Sequence, residues 1–464
     1  MNNKPYNMNR RDFLKLLALG SAASLAALGG CDLNKQNNVD SSKSGPVPTD
    51  KMTYRTDSKT GNKISLLGYG CMRYPRLPKK EALGKDNDID QEAVNESVDY
   101  AIAHGINYFD TSPRYCKGFS EHATGLALSR HPRSKYFIAT KLSNFSDFTR
   151  EGTIDMYNNS FKELQVDYID YYLLHALGLA RGGTGMEVLN KRYIDNGILD
   201  FLLKEREAGR IRNLGWSFHG DIEVFDHMLK MGIKWDFVQI QLNYIDWEYP
   251  QGMNSVKAKY LYDELTKRNI SIIIMEPLLG GRLANIHYKA QKILKQAEPE
   301  ASIASWAFRY AGSLPNVLTV LSGMTYLEHM QDNIRTYSPL IPLTEKERQM
   351  LERAANLMLE YQNITCTNCG YCMPCPYGIN IPAVFAHYNR CLNEGNFPDN
   401  TQDPHYRKAR RAFLVGLDRN VEKLRQANHC TGCGICSTKC PQNIRIPNEM
   451  GKIDRFVESL KINV

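Results

Sequence analysis

The sequence predicts an α/β protein: a (β/α)₈ barrel of the TIM type followed by a small, mainly helical domain. Three observations predict it. Eight short apolar runs, rich in β-branched and aromatic residues, recur between residues 64 and 323. Amphipathic stretches such as "DQEAVNESVDYAIAHG" and "YLYDELTKRN" separate them, so each run feeds a helix, as parallel strands joined by crossovers require. Beyond about residue 345 the alternation gives way to helical pattern around closely spaced cysteines. A chain of 464 residues has room for two or three domains, and 42% apolar with 23% charged residues is an ordinary globular composition.

In chain order, the first element reads as an address. Arg10 and Arg11 precede Phe13, Leu14 and Lys15, and a run of small apolar residues leads to Leu28, Gly29, Gly30 and Cys31. Gly20, Gly29 and Gly30 make this a poor helix, and its apolar residues do not share one face. Residues 1–31 resemble a twin-arginine export signal ending in a lipoprotein cleavage site. That resemblance implies a membrane-anchored lipoprotein of the cell envelope, with the lipid on Cys31 and the body in the periplasm. Residues 32–51 are a polar, flexible tether. Outside the leader no apolar run is long enough to span a bilayer.

Residues 52–344 hold the predicted barrel. Its strands are "ISLLGYG" (64–70), "INYFDTS" (106–112), "KYFIATK" (135–141), "YIDYYLLH" (168–175), "IRNLGWSF" (211–218), "FVQIQLNY" (237–244), "SIIIMEP" (271–277) and "VLTVLSG" (317–323). Eight units favour a closed barrel over an open doubly wound sheet. "GYGCMRYP", after the first run, is not the Gly-rich phosphate turn that such a sheet places there to bind a dinucleotide. In these barrels chemistry gathers where strands end. The second strand reaches Asp110, with Tyr115 five residues on; the third ends in Lys141 and the fourth in His175.

An acid, a phenol, an ammonium and an imidazole at successive strand ends resemble the catalytic tetrad of the aldo-keto reductase family. The likeness is carried by "FDTSPRY", "ATK" and "YYLLHA" and backed by "GWSFHG", "VQIQLNY", "EPLLGGRL" and "LSGMTYLEHMQDNI". It implies hydride transfer between a nicotinamide nucleotide, NAD(P), and a small carbonyl or alcohol. Reducing a carbonyl develops charge on oxygen, so a proton donor must stand beside it. Tyr115 takes that part. Lys141 is expected to lower its pKa, Asp110 to hold Lys141 charged, and His175 to position the carbonyl. By the same resemblance, Ser217 and Gln239 hold the carboxamide, with His219 nearby, and Gly323, Met324, Thr325, Asp332 and Asn333 face the pyrophosphate and adenosine. Two positions depart from the family pattern. Met275 and Glu276 stand where many relatives stack an aromatic ring on the nicotinamide, and Gly323 and His329 stand where relatives preferring the 2′-phosphorylated nucleotide place Lys or Arg. The choice between NAD and NADP stays open.

Residues 345–464 form the second predicted domain. Eight of the twelve cysteines fall there in two groups: Cys366, Cys369, Cys372 and Cys375 before Pro376, and Cys430, Cys433, Cys436 and Cys440 before Pro441. Cysteines spaced two apart and repeated cannot all pair with distant partners, but they can present thiolates to one metal cluster. The second group is the C-x₂-C-x₂-C-x₃-C-P run of bacterial ferredoxins, in which the fourth cysteine reaches the other cluster. This predicts two [4Fe–4S] clusters in a ferredoxin-like domain, one on Cys366, Cys369, Cys372 and Cys440, the other on Cys430, Cys433, Cys436 and Cys375. Structural zinc on C-x₂-C pairs is the alternative, although zinc sites separate their pairs by longer loops. Cys71, Cys116 and Cys391 read as packed thiols.

A net charge of +8, scattered along the chain, argues against nucleic acid as a partner. The basic run "RKARR" (407–411) is a solvated helix face or a patch for an acidic electron carrier. The two ends of the chain explain each other, because a cluster-bearing protein must cross the membrane already folded, which the twin-arginine route permits. The expected function is an exported iron–sulfur aldo-keto oxidoreductase that keeps its nucleotide bound and relays electrons to or from a partner. Two alternatives remain: an electron-transfer subunit with a non-catalytic barrel, and a redox-neutral enzyme whose bound nucleotide oxidises and re-reduces one substrate.

Overall fold

The computed structural model describes residues 45–462 apart from 79–80, 82–85, 180–182, 251–255, 362 and 441. The expected leader with Cys31, and the tether up to residue 44, lie outside the described residues. Among those described, no helix is long and apolar enough to cross a membrane.

A hairpin comes first. Strands β1 (Tyr54–Thr56) and β2 (Lys63–Ser65) pair antiparallel, with Tyr54 opposite Ser65. Asp57 makes the turn, its Oδ1 accepting the Lys59 and Thr60 amides at 2.9 and 3.3 Å. Its Oδ2 accepts the Tyr171 hydroxyl at 2.6 Å, and Ile64 joins the apolar cluster of Tyr108, Ala139, Tyr171, Leu173, Phe237 and Ile273. The hairpin thereby plugs the N-terminal end of the barrel. The single run read as "ISLLGYG" is divided: its first residues finish the hairpin and the rest begin the barrel. Apolarity alone cannot reveal this division, because both pieces are buried.

Strands β3 (Leu67–Gly70), β4 (Tyr108–Asp110), β5 (Phe137–Leu142), β6 (Ile169–Leu177), β7 (Ile211–Phe218), β8 (Phe237–Gln241), β9 (Ser271–Met275) and β10 (Val317–Ser322) close into one barrel. All eight pairings are parallel, and β10 returns to β3 with Leu321 opposite Gly68. Each predicted run contributes its strand, in order. Both strand faces are covered, one by the barrel interior and one by helices, which is why the runs are nearly continuous in apolar residues rather than alternating.

The crossover helices are punctuated locally. Asp90 accepts the Ala93 amide at the start of Gln91–Ala103, and that helix buries Val94, Val98 and Ala101, spaced three and four apart as one helical face requires. Gly125 lies so close to the next helix, Arg150–Leu164, that a Cβ would stand 2.1 Å from the Glu163 carbonyl oxygen. The helix Glu345–Glu360 opens with a Thr344/Glu347 capping box, and its Leu351, Ala354 and Ala355 share the core of the barrel.

The cysteine-bearing region has its own core under helices Ile381–Asn393, Tyr406–Asn420 and Ile446–Ile462. Phe413 is its centre, with the rings of His387, Phe397 and Phe456 at 5.0, 5.9 and 5.2 Å. Truncating such a ring to Ala costs about 3–5 kcal/mol. This region packs on the barrel. Tyr361 stacks on His287 at 3.8 Å, Asn393 donates to the Asn285 carbonyl, and the Arg73 guanidinium, just past β3, donates to the Thr367 carbonyl at 2.8 Å.

Candidate active site

Asp110 ends β4 opposite Ala139 of β5, and Lys141 lies two residues further along β5. The strand positions predict a meeting, and it occurs. The Lys141 Nζ donates to Asp110 Oδ1 at 2.5 Å and to the Thr111 carbonyl at 2.8 Å, with both side chains almost wholly buried. Burial holds the Asp110 carboxyl above its usual range and Lys141 offsets part of that rise. Removing Lys141 would leave a buried carboxyl without its partner, at a cost of about 3–5 kcal/mol.

Tyr115 follows β4 in a short turn whose next two residues, Cys116 and Lys117, have left-handed backbones (φ +50 and +60). The Lys141 Nζ stands 4.9 Å from the centre of its ring, and the His175 ring is 6.1 Å away, edge to face. All four predicted residues therefore converge at one mouth. The electrostatics differ from expectation. Lys141 does not bring the phenol down: Tyr115 is held well above the ordinary phenol pKa, by burial first and then by the negative charge of Asp110, with Tyr371, Cys71 and Glu276 adding. The first cause is loss of water around the phenol, while the ammonium over its ring is hydrogen-bonded to Asp110 and the Thr111 carbonyl.

His175, on β6, is buried and held well below the usual imidazole range by desolvation, with Lys141, His219 and two arginines pushing the same way. It is neutral. Its Nδ1 lies 2.5 Å from Ser143 Oγ, which lies 2.9 Å from Ser112 Oγ, which accepts the Arg114 amide at 3.2 Å. Ser143 Oγ also lies 3.3 Å from the Lys141 carbonyl, so its single proton serves either that carbonyl or His175 Nδ1. Ser112 and Ser143 were not singled out in the sequence, although each stands two residues beyond a tetrad member, the spacing that keeps extended side chains on one face.

The predicted nucleotide residues divide into two groups. Ser217 and Gln239 are direct register partners on β7 and β8, both buried. Ser217 Oγ accepts the Ala176 amide at 2.8 Å, and Gln239 Oε1 is buried with no hydrogen-bond partner. A buried acceptor left open is what an amide-bearing ligand would satisfy, so these residues fit a nicotinamide. His219 is half-buried, and desolvation pushes its pKa down to about 4. In the other group, Met324 turns its side chain into the barrel core. Asn333 donates to Ser322 Oγ at 3.0 Å and Asp332 accepts from Ser302 at 2.5 Å. Thr325 donates to the Arg73 carbonyl at 2.8 Å, and a Cβ on Gly323 would stand 3.0 Å from the Arg73 side chain. Arg73 thus lies between this segment and Thr367.

The eight cysteines line two small cavities. One is lined by Cys366, Cys369, Cys372 and Cys440, the other by Cys375, Cys430, Cys433 and Cys436. These are the two crossed sets that the ferredoxin spacing implies. Burial pushes the Cys366 thiol up to about 11 and Cys372 up to about 12, with Cys369 and Cys440 raising both further. Thiolates that crowd one another want a shared cation. Among the described residues no three His, Cys, Asp or Glu side chains are grouped to hold a single metal ion. Four thiols spread around a cavity instead fit a polynuclear cluster.

The first set sits against the barrel mouth. A Cβ on Gly280, past β9, would stand 2.2 Å from Thr367 Cβ, Arg282 interacts electrostatically with Cys366, and Tyr371, two residues from Cys369, does so with Tyr115. No local feature of the sequence announces this contact, because its members lie about 90 to 300 residues apart.

Comparison with known proteins agrees with this architecture. The chain is 25% identical over 333 residues to L-galactose dehydrogenase of Arabidopsis thaliana, covering 68% of this chain and 97% of that one. It is 22% identical over 313 residues to an NADH-specific methylglyoxal reductase of Escherichia coli, covering 59% and 90%. Among solved structures, a holo-form aldo-keto reductase from Bacillus halodurans shares the fold with a TM-score of 0.51 at 21% identity, over 65% of this chain and 96% of that one. Residues 365–446 match a 4Fe-4S dicluster domain. Residues 67–356, more than half of the chain, match the aldo/keto reductase family over the whole barrel, and the protein belongs to that family of oxidoreductases.

Proposed function

We propose that the chain is an exported, nicotinamide-dependent oxidoreductase acting on a small carbonyl or alcohol, its barrel electrically connected to a partner through two [4Fe–4S] clusters. A bound nucleotide would supply or accept the hydride, and the clusters would exchange single electrons. Tyr115 holds the proton for the substrate oxygen. Its raised pKa keeps the phenol protonated near neutrality, which suits the reductive direction. His175 is neutral, and when the Ser143 hydroxyl donates to Nδ1, Nε2–H would donate to the same oxygen. Lys141 and Asp110 form the charged floor beneath Tyr115. Ser217 and Gln239 would hold the carboxamide. Cys366, Cys369, Cys372 and Cys440 would hold one cluster, and Cys375, Cys430, Cys433 and Cys436 the other.

The observation that carries the relay is the seating of the first cysteine loop on the mouth, through the Arg73 to Thr367 hydrogen bond and the close approach of Gly280 to Thr367. A structural metal would have no need of that position. Membership of a 25% identical sugar dehydrogenase among the relatives supports a polyhydroxylated substrate. The leader reading supports export, with the lipid on Cys31 and the nucleotide loaded beforehand.

The test uses anaerobically purified, cluster-loaded protein, reduced and freed of reductant. Adding NAD⁺ or NADP⁺ should reoxidise the clusters while reduced nicotinamide appears. No exchange despite intact clusters and bound nucleotide would defeat the relay. Tyr115→Phe separates enzyme from scaffold: carbonyl reduction should fall roughly 10²–10⁴-fold, whereas a non-catalytic barrel would lose nothing.

A further inference from the structure

Electrons that reach the first cysteine set at the barrel mouth need a way out, and the two sets differ in exposure. Cys433, of the second set, is the one exposed cysteine among the described residues. The surface around it is apolar: Tyr377, which lines the same cavity, is 50% exposed, Ile435 47% and Leu424 78%. Leu424 is held nearby because its neighbour Arg425 donates to the Gly378 carbonyl at 3.1 Å and accepts the Asn380 amide at 3.0 Å. Exposed apolar side chains grouped on a small domain mark a contact surface.

Charge selects the partner. Residues 423–448 contain Lys423, Arg425, Lys439 and Arg445 and no Asp or Glu. Residues 361–393 contain no Asp or Glu either. Lys423 and Lys439 are exposed, and neither makes an ion pair among the described residues. Glu422 and Glu449 flank this stretch, Glu449 paired with Lys452, and Asp418 accepts from Gln426 at 3.0 Å. By contrast, the run 407–411 lies on the helix Tyr406–Asn420, where Ala409 is buried and Arg410 is tied to the Leu460 carbonyl, and none of its members lines either cysteine cavity.

We infer that the face formed by Cys433, Tyr377, Ile435 and Leu424, ringed by Lys423 and Lys439, is the docking site for a small acidic one-electron carrier protein. This rests on the relay reading. Oxidation of one reduced nicotinamide releases two electrons and a proton, so two carriers must dock in turn, each leaving with one electron. Transient redox contacts are small, and steering by charge sets their on-rates.

The probe is an oxidised, acidic [2Fe–2S] ferredoxin titrated calorimetrically into the cluster-loaded protein. We expect binding that weakens roughly tenfold between low and moderate salt, as exposed charge pairs do. Lys423→Glu with Lys439→Glu should weaken it about tenfold more at low salt, and Leu424→Ala should weaken it at both salt levels. Lys408→Glu with Arg411→Glu should bind as the unaltered protein does, cluster absorbance confirming that each variant is folded. No binding, or an equal loss in the helix variant, overturns the docking face. The relay is scored separately by the exchange between reduced protein and NAD(P)⁺: exchange without probe binding sinks the face alone, and binding without exchange sinks the relay alone.

Discussion

At the scale of single residues, Tyr115 and His175 are displaced in opposite directions by one cause, loss of water. Tyr115 stays protonated above the usual phenol range and His175 stays neutral below the usual imidazole range. For reduction, both forms are the competent ones. The acid limb, where His175 would charge, is pushed below about 6.5, and the alkaline limb, where Tyr115 would ionise, is pushed above about 10. A pH profile of kcat/KM for carbonyl reduction should therefore be flat from about 6.5 to 10. A fall centred near neutrality would show the phenol to be depressed instead. Ser143→Ala removes the partner of His175 Nδ1. It should lower kcat roughly tenfold, about 1.4 kcal/mol, and shift the imidazole nitrogen resonances toward a mixed tautomer, with Ser143→Thr restoring both. The convergence of the four residues was legible because Asp110, Lys141 and His175 lie toward strand ends that apolar runs announce and Tyr115 follows one of them in a short turn. The sign of the Tyr115 shift was not, because it depends on how far the phenol is withdrawn from water and how near the Asp110 charge stands, and a sequence carries neither.

At the scale of elements, the strands were readable because parallel strands buried on both faces leave long apolar runs. The hairpin strand Tyr54–Thr56 was not, being short and mostly exposed. The loop after β9 shows what periodicity misses. Gly280, at φ +69, presses on Thr367 with no room for a side chain. Gly280→Ala should destabilise the protein by about 1–3 kcal/mol and loosen the first cysteine loop, seen as a lower melting temperature and faster loss of cluster absorbance under chelator. Thr367→Gly should recover part of that loss in the double variant, since it deletes the atoms the new Cβ would strike. Equal effects in the two backgrounds would mean that the penalty is backbone strain alone.

At the scale of the whole molecule, the two cysteine motifs are interlocked: Cys440 completes the cavity of the first and Cys375 that of the second. Iron analysis with electron paramagnetic resonance distinguishes this from independent sites. The protein should hold about eight irons. Cys440→Ser should perturb the signal of the cluster beside the barrel and Cys375→Ser that of the exposed one, the reverse of what sequence neighbourhood suggests. The ferredoxin spacing made this crossing legible, whereas the seat on the barrel came from contacts between distant segments and could not be read. The crossing also orders biosynthesis. The second cavity has its fourth thiol once the ribosome has passed Cys436 and the first once it has passed Cys440, so both clusters must wait for nearly the same moment of synthesis. A chain interrupted between the motifs would carry three thiols of the first cavity and Cys375 alone of the second, and neither centre could be finished.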